Sequence, residues 1–319
     1  MIVWVSFILF VVVALALDLG VFNRTPHEIK PKEASVWTSI WISVALLFTG
    51  VVYLAFQYEW VDNPTDLTPE SAVIKYITGY LIELSLSVDN IFIIALIFSA
   101  FSIPRKYQHE VLFYGILGAV VFRAIMIIFG VALINKFDWI IYVFGTFLIF
   151  TAVRMVISQH KEFHPEKSKL FNLIKKIFPV THEMEGGKFF IKREGVKMAT
   201  PLFIALLIIE LTDVFFAIDS IPAILAITAD PFIVFSSNIL AVLGLRSMFF
   251  LIDGMLSKFR YISYSLVAIL GFVGIKMILS HHVEIPEWLS LGVIVVSLAV
   301  GIIASQRAHI REKKMKEQS

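Results

Sequence analysis

Nine apolar runs of about 20 residues dominate this chain and restrict what it can fold into. A helix of about that length crosses a hydrocarbon core of ~30 Å. Because lipid offers the backbone no hydrogen-bond partners, such runs must be helical. The chain is 58% apolar and 16% charged, and a soluble domain could not cover so apolar a sequence with polar surface. The sequence therefore predicts an all-α, polytopic membrane protein.

The predicted helices are joined by connections that contain helix-breaking residues, such as Asn63-Pro64, Ile103-Pro104 and Asp230-Pro231. We place the nine helices at about 2–22, 37–57, 76–101, 111–134, 138–157, 201–226, 232–252, 261–280 and 288–306. The chain then divides into two N-terminal helices within 1–60, a three-helix unit at 76–157, a basic connector at 158–200, a second three-helix unit at 201–281, and a last helix with a basic tail at 288–319.

Lysine and arginine are sorted to one side of the predicted membrane. Numbering alternate connections assigns 21 of them to one side, including the connector and the C-terminal tail. The other side holds only Lys75 and Lys136. Basic loops face the cytoplasm, which predicts an external N-terminus and a cytoplasmic C-terminus. The net charge of +2 gives no indication of a nucleic-acid partner, so the lipid bilayer is the expected environment.

Two parts of the sequence resemble each other over three helices. Three pairs of segments match in order: 83–91 with 213–221, 116–123 with 239–246, and 154–155 with 276–277. Because each copy has an odd number of helices and the copies follow one another, the second copy must be inverted in the membrane. Inverted repeats with a polar site at their interface are a recurring plan of transporters.

Five acidic side chains are predicted near the middle of the membrane, where a carboxylate without a partner costs several kcal/mol. They are Glu83 and Asp89 in the third helix and Glu210, Asp213 and Asp219 in the sixth; Ser87, Asn90 and Ser220 lie beside them, and the fourth and seventh helices add Arg123 and Arg246. The arginines either hold the two repeats together or act directly in transport. Five acids against two arginines leave a charge of −3 if all are ionised. A purely structural network is expected to close near neutrality, so the excess predicts a site that attracts a cation, protons or both.

A proline predicts how these acids converge. On a straight helix, Asp213 and Asp219 point about 120° apart. Pro222 has no amide hydrogen and leaves the carbonyl of Ile218 without its helical partner. A break near Asp219 is therefore expected to turn that carboxylate towards the others, as in the broken helices of transporters.

The available ligands narrow the choice of ion. Carboxylate, amide, hydroxyl and carbonyl oxygens suit magnesium, calcium or manganese. The chain has no cysteine, and its eight histidines all lie in loops, tails or at helix ends, which makes zinc, copper and nickel poor candidates. Manganese is compatible with these ligands, although the ligands alone do not separate it from the other hard ions.

Three motifs link the chain to known proteins: Glu83-Leu-Ser-Leu-Ser-Val-Asp89-Asn90, Glu210-Leu-Thr-Asp213 followed by Asp219-Ser220-Ile-Pro222, and Leu243-Gly-Leu-Arg246. In these motifs and over nearly its whole length the chain resembles the TerC family of integral membrane proteins, most closely its Alx branch. That family is associated with manganese export and metal homeostasis, and by name with tellurium resistance. The resemblance implies an ion site formed by Glu83, Asp89, Asn90, Glu210, Asp213 and Asp219.

The leading hypothesis is an inner-membrane Mn²⁺ exporter that works by alternating access, with Asp89 and Asp219 as central ligands and with proton exchange as a further expectation. One alternative is an oxyanion transporter, for instance for tellurite, in which Arg123 and Arg246 bind the anion; the charge of −3 argues against it. Another is a scaffold that transports nothing. No nucleophile–base pair is evident, so neither an enzyme nor a resident cofactor is expected.

Overall fold

A computed structural model describes residues 2–20, 28–64, 66–158, 179–181, 183–193, 195–253, 261–280, 282–283 and 285–318. The helices within these residues are α1 (Ile2–Gly20), α2 (Pro31–Gln57), α3 (Pro69–Ala100), α4 (Arg105–Lys136), α5 (Ile140–Ser158), α6 (Pro201–Leu225), α7 (Pro231–Leu243), α8 (Leu245–Asp253), α9 (Ile262–Leu279) and α10 (Glu287–Gln318). Two short strands, β1 (Phe190–Arg193) and β2 (Val196–Ala199), form an antiparallel hairpin before α6.

Seven of these helices, α2 to α6, α9 and α10, are long and apolar enough to cross a membrane. Helices α7 and α8 pass the same test together and form one bent segment, which raises the number of spans to eight. The apolar part of α1, Ile2–Leu17, is shorter than a full span. The chain is therefore a mostly helical, polytopic membrane protein, with seven or eight helices of spanning length among the residues described.

Several helices begin earlier than their apolar runs, because a proline starts the first turn. Helix α3 begins at Pro69 rather than near residue 76, and Thr68 caps it by accepting a hydrogen bond from the backbone nitrogen of Ser71 (3.3 Å). Prolines occupy the same place in α2, α6 and α7. Hydropathy marks only the lipid-embedded part of a helix, so the polar first turns were missing from the predicted bounds.

The basic connector predicted at 158–200 is described only in its last part, since residues 159–178 lie outside the described ranges. After residue 178 the chain forms the β1–β2 hairpin. Thr200 fixes the hairpin to the start of α6, because its hydroxyl donates to the backbone oxygen of Lys188 (2.8 Å). The hairpin therefore lies next to the N-terminal end of α6.

The two three-helix units, α3–α4–α5 and α6–α7/α8–α9, interlock. The first helix of each unit packs against the second helix of the other, so that α3 contacts α7 and α4 contacts α6. The third helices, α5 and α9, pack against each other. Helices α3 and α6 run antiparallel, because Gly79 lies beside Ile224 while Asn90 lies beside Asp213.

Two glycines set the close approach of α5 and α9. A Cβ atom on Gly274 would lie 2.9 Å from the carbonyl oxygen of Gly145, and one on Gly145 would lie 2.9 Å from the carbonyl oxygen of Gly274. Backbone atoms cannot turn aside as side chains do, so any side chain at either position must separate the helices.

We predict that Gly274→Ala lowers the free energy of unfolding by about 1–3 kcal/mol, the usual cost of overpacking a core. Gly271→Ala in the same helix is the matched control, because a Cβ there meets nothing within 4 Å. That variant is expected to be neutral or slightly stabilising, since alanine favours helix by ~1 kcal/mol over glycine. Thermal unfolding in detergent checks both, and equal unfolding temperatures would contradict the close contact.

Candidate ion site

Arg123 of α4 lies at the centre of a buried charge cluster. Its side chain is fully buried and joins an acid of each three-helix unit, Glu83 from α3 and Asp213 from α6. The contact with Asp213 is two-pronged: Nη2 donates to Oδ1 (2.9 Å) and Nε donates to Oδ2 (3.2 Å). Nη1 donates to Glu83 Oε1. Such paired guanidinium–carboxylate contacts are among the strongest polar contacts in proteins.

Two asparagines complete the cluster. Asn238 of α7 donates from Nδ2 to Glu83 Oε2 (2.9 Å), and its Oδ1 accepts from Arg123 Nη1 (3.4 Å). Asn90 of α3 donates from Nδ2 to Asp213 Oδ1 (3.5 Å). The central cluster of Glu83, Asn90, Arg123, Asp213 and Asn238 therefore joins four helices, and it carries a charge of −1 if both acids are ionised.

Two further aspartates, one on α3 and one on α6, contact helices that do not contribute to the central cluster. Asp89 follows Glu83 in α3 and lies beside Ser263 of α9. Asp219 follows Asp213 in α6 and accepts a hydrogen bond from the Thr151 hydroxyl of α5 (3.0 Å). Six residues of helix correspond to about 9 Å along the axis. Because α3 and α6 are antiparallel and Asn90 contacts Asp213, Asp89 lies at about the level of Asp213, and Asp219 lies at about the level of Glu83.

Glu210 occupies a notch in α4. A Cβ atom on Gly118 would overlap the carboxylate of Glu210, so only glycine leaves room for it. The Oε2 atom of Glu210 is buried and has no hydrogen-bond partner among the described residues. The same holds for Ser87 Oγ and Asn90 Oδ1, whereas the Ser220 hydroxyl lies beside Glu83. Buried oxygens of this kind carry a desolvation cost that a proton, water or cation would relieve.

A cavity of about 20 Å³ adjoins Asn90 and Asp213. Thr212 and the apolar side chains of Leu112 and Leu245 contribute to its wall. This volume suffices for one particle the size of water. The central cluster therefore borders a small cavity, and the rest of the cavity wall is mainly apolar.

Arg246 does not join the central cluster. Helices α7 and α8 meet at Gly244 with a bend of 43°, and α8 carries Arg246 towards α2. There it lines a cavity of about 20 Å³ together with Glu33, Trp37 and Trp41. The predicted equivalence of the two arginines therefore does not extend to their positions.

The break expected near Asp219 is absent, and that prediction was wrong. Helix α6 continues through Asp219 to Leu225. Pro222 lies in its last turn, where the loss of one helical hydrogen bond does not end the helix. Asp219 consequently faces Thr151 and not Asp213. The bend occurs instead at Gly244, consistent with the low helix propensity of glycine.

Among the residues described, no three acidic or histidine side chains are close enough to hold one ion together. Of the six predicted metal ligands, Glu83, Asn90 and Asp213 therefore belong to the central cluster. The other three, Asp89, Glu210 and Asp219, lie outside it. Sequence reasoning missed Asn238, Thr151 and Ser263. An asparagine that follows two serines in a mostly apolar helix was the available signal for Asn238, whereas the hydroxyls of Thr151 and Ser263 gave none.

Comparison with known proteins settles the family of the chain. Residues 68–314 match the integral membrane protein TerC family. The chain belongs to the TerC family. This range contains the whole central cluster together with Asp89, Glu210 and Asp219, so the resemblance noted in the sequence is confirmed.

Similar proteins cover almost the whole chain. A membrane protein of Myxococcus xanthus without an assigned function is 50% identical over 302 residues, covering 95% of this chain and 91% of its own length. A membrane protein of Rickettsia bellii is 43% identical over 302 residues, covering 95% and 96%. Alx of Escherichia coli K12, whose name describes it as a candidate membrane-bound redox modulator, is 40% identical over 314 residues, covering 98% and 97%. No solved structure matches the chain.

Proposed function

We propose that this protein is a transporter that exports a divalent cation, Mn²⁺, across the bacterial inner membrane. One observation carries the proposal: the antiparallel helices α3 and α6 place carboxylates at two levels, with Asp89 and Asp213 at one level and Glu83 and Asp219 at the other. Steps of about 9 Å between carboxylates would let an ion pass from one to the next.

The donor atoms support a hard cation as cargo. Every polar group of the central cluster apart from Arg123 offers oxygen, and three of the nearby buried oxygens have no partner among the described residues. Oxygen-rich sites suit manganese and related ions. The family that the chain belongs to favours manganese among them and favours export as the direction; the predicted orientation has the N-terminus outside and the C-terminus in the cytoplasm.

The helix contacts support an inverted repeat within nine membrane segments. Exchanging the two units preserves their three main contacts, because α3–α7 becomes α6–α4 and α5–α9 maps onto itself. Helix α1 and the bent α7–α8 segment complete the nine. Two related units around a polar centre provide the basis for alternating access.

Glu210 is the proposed proton carrier. Its Oε2 atom, which has no hydrogen-bond partner in the part of the chain that the structure describes, is buried in the Gly118 notch, next to the α4–α6 contact that holds Arg123 and Asp213 together. A carboxyl group there would bind a proton when the cargo has left and release it when the cargo returns, which gives proton exchange without a further site.

The other functions have less support. An oxyanion would need free guanidinium donors in the cluster, yet Arg123 already donates to Glu83, Asp213 and Asn238. Redox modulation, which the name of one relative suggests, would need a group other than a thiol in this chain, since it has no cysteine. Divalent cation transport would use the carboxylates in the positions that they occupy in the structure.

Transport in liposomes tests the proposal directly. We expect the wild-type protein to carry Mn²⁺ to a fluorophore inside the vesicles, and Asp89→Asn or Asp219→Asn to lower the rate by about 100-fold, because each removes one of the few charges that compensate for lost hydration. Glu70→Gln is the matched control, since Glu70 is an exposed acid in the first turn of the same α3. Wild-type vesicles without Mn²⁺ flux, or aspartate variants that transport like Glu70→Gln, would refute the exporter.

A further inference from the structure

The repeat relates the two arginines to a single pair of carboxylates. The aligned segments place Arg246 at the position of Arg123 and Asp213 at the position of Glu83. Arg123 binds the acid of its own unit, Glu83, and that of the other unit, Asp213. When the two units are exchanged, Glu83 maps onto Asp213 and Asp213 maps onto Glu83, so the pair of acids stays the same. The repeat therefore assigns the same two carboxylates to Arg246.

Only one of the two arginines occupies that position in this structure. Helix α4 runs unbroken through Arg123, whereas the corresponding segment of the second unit bends by 43° at Gly244, two residues before Arg246. The bend carries Arg246 to the cavity against α2, where Glu33 offers another negative charge. The two units thus have different conformations at equivalent positions.

We infer that Arg123 and Arg246 are alternative counter-cations of the Glu83–Asp213 pair and replace one another during the transport cycle, an inference that rests on the proposed function. With one arginine in place, the pair carries a net charge of −1. With neither, its charge of −2 matches a divalent cation. Cargo therefore binds between the departure of one arginine and the arrival of the other, and straightening of α7–α8 brings Arg246 in.

Disulfide formation can follow α8 directly, because the natural chain has no cysteine to interfere. A Cβ atom on Gly244 would lie 3.4 Å from Trp41 Cβ, close to the ~3.5–4.5 Å between Cβ atoms of disulfides. The pair Trp41→Cys with Gly244→Cys therefore reports the bent conformation, in which α8 lies against α2.

A second cysteine pair serves as the control. A Cβ atom on Gly79 would lie 3.5 Å from Ser237 Cβ, which joins α3 to α7 ahead of the bend. The equivalent α4–α6 contact is already formed, with a Cβ on Gly115 lying 3.5 Å from Ile209. Because both units have this contact, it is not expected to change when α8 moves.

Oxidation rates of the full chain in detergent, measured by mass spectrometry, test the exchange. Adding Arg123→Gln leaves the acid pair without its cation, so Arg246 moves in and the 41–244 disulfide forms roughly tenfold more slowly, while the 79–237 disulfide forms at its former rate. Unchanged rates for both pairs would overturn the inference.

If Arg123→Gln slows or abolishes both disulfides, the substitution has disturbed the fold. The variant Glu33→Gln then tests the exchange of the arginines in its place. That change removes the negative charge that shares the α2–α8 cavity with Arg246, and it leaves the central cluster intact. The 41–244 disulfide should then form about threefold more slowly with the 79–237 control unaffected; an unaltered 41–244 rate overturns the exchange. Neither measurement needs Mn²⁺, so an absence of flux would refute the exporter without deciding how the arginines behave.

Discussion

Replacing Arg123 with methionine is expected to lower the free energy of unfolding by about 3–5 kcal/mol, the largest effect on stability in this protein. The substitution keeps much of the side-chain volume but leaves Glu83 and Asp213 buried beside each other without a cation. It also removes the donors that bind both acids and Asn238. Most of the loss comes from the charges that stay behind.

Arg105→Ala is the matched control for this prediction. Arg105 also pairs with an aspartate of the second unit, Asp253 (3.4 Å), but its side chain is 66% exposed. Exposed ion pairs contribute about 0–1 kcal/mol, so little change is expected. Thermal unfolding in detergent measures both variants. Equal losses for the two arginines would mean that the Arg123 cluster is hydrated and that its burial is not what stabilises the helix packing.

The second large effect separates transport from a purely structural role. The triple variant Arg123→Met, Glu83→Gln and Asp213→Asn removes all three charges together. Its stability should return to within about 2 kcal/mol of wild type, because a neutral cluster no longer buries uncompensated charge. Its Mn²⁺ flux should fall by about 100-fold or more, since no carboxylate remains at the centre of the pathway.

A scaffold that transports nothing predicts a different result for the triple variant. In that case, restoring stability would also restore function, which growth of a manganese-sensitive host under excess Mn²⁺ can measure. Asn238 provides an internal control, because Asn238→Leu weakens the same cluster without removing a charge. A triple variant that protects the host as well as wild type would exclude the exporter and favour the scaffold.

Much of the candidate site was predictable because buried charge is costly wherever it occurs. The apolar context of Glu83, Asp213 and Arg123 marked them as site residues, and pairing with the acids was one of two roles left open for Arg123; the structure shows that pairing. Asp89 and Asp219 were predicted as central ligands, and in the structure they lie beside Ser263 of α9 and Thr151 of α5. A helical sequence shows which residues share a face, while the partner of that face depends on helices distant in the chain.

The sequence by itself determined the fold class and the membrane location of the helices. Apolar length and the energetic cost of unpaired backbone groups act on each segment independently, so these features need no knowledge of packing. Only the tertiary structure decided which arginine binds the acid pair. A bend of 43° at Gly244 moves Arg246 to α2, while a proline in the last turn leaves α6 intact as far as Asp219. Whether a helix bends at a glycine or at a proline depends on the space and contacts that its neighbours provide, and these arise only when the helices pack.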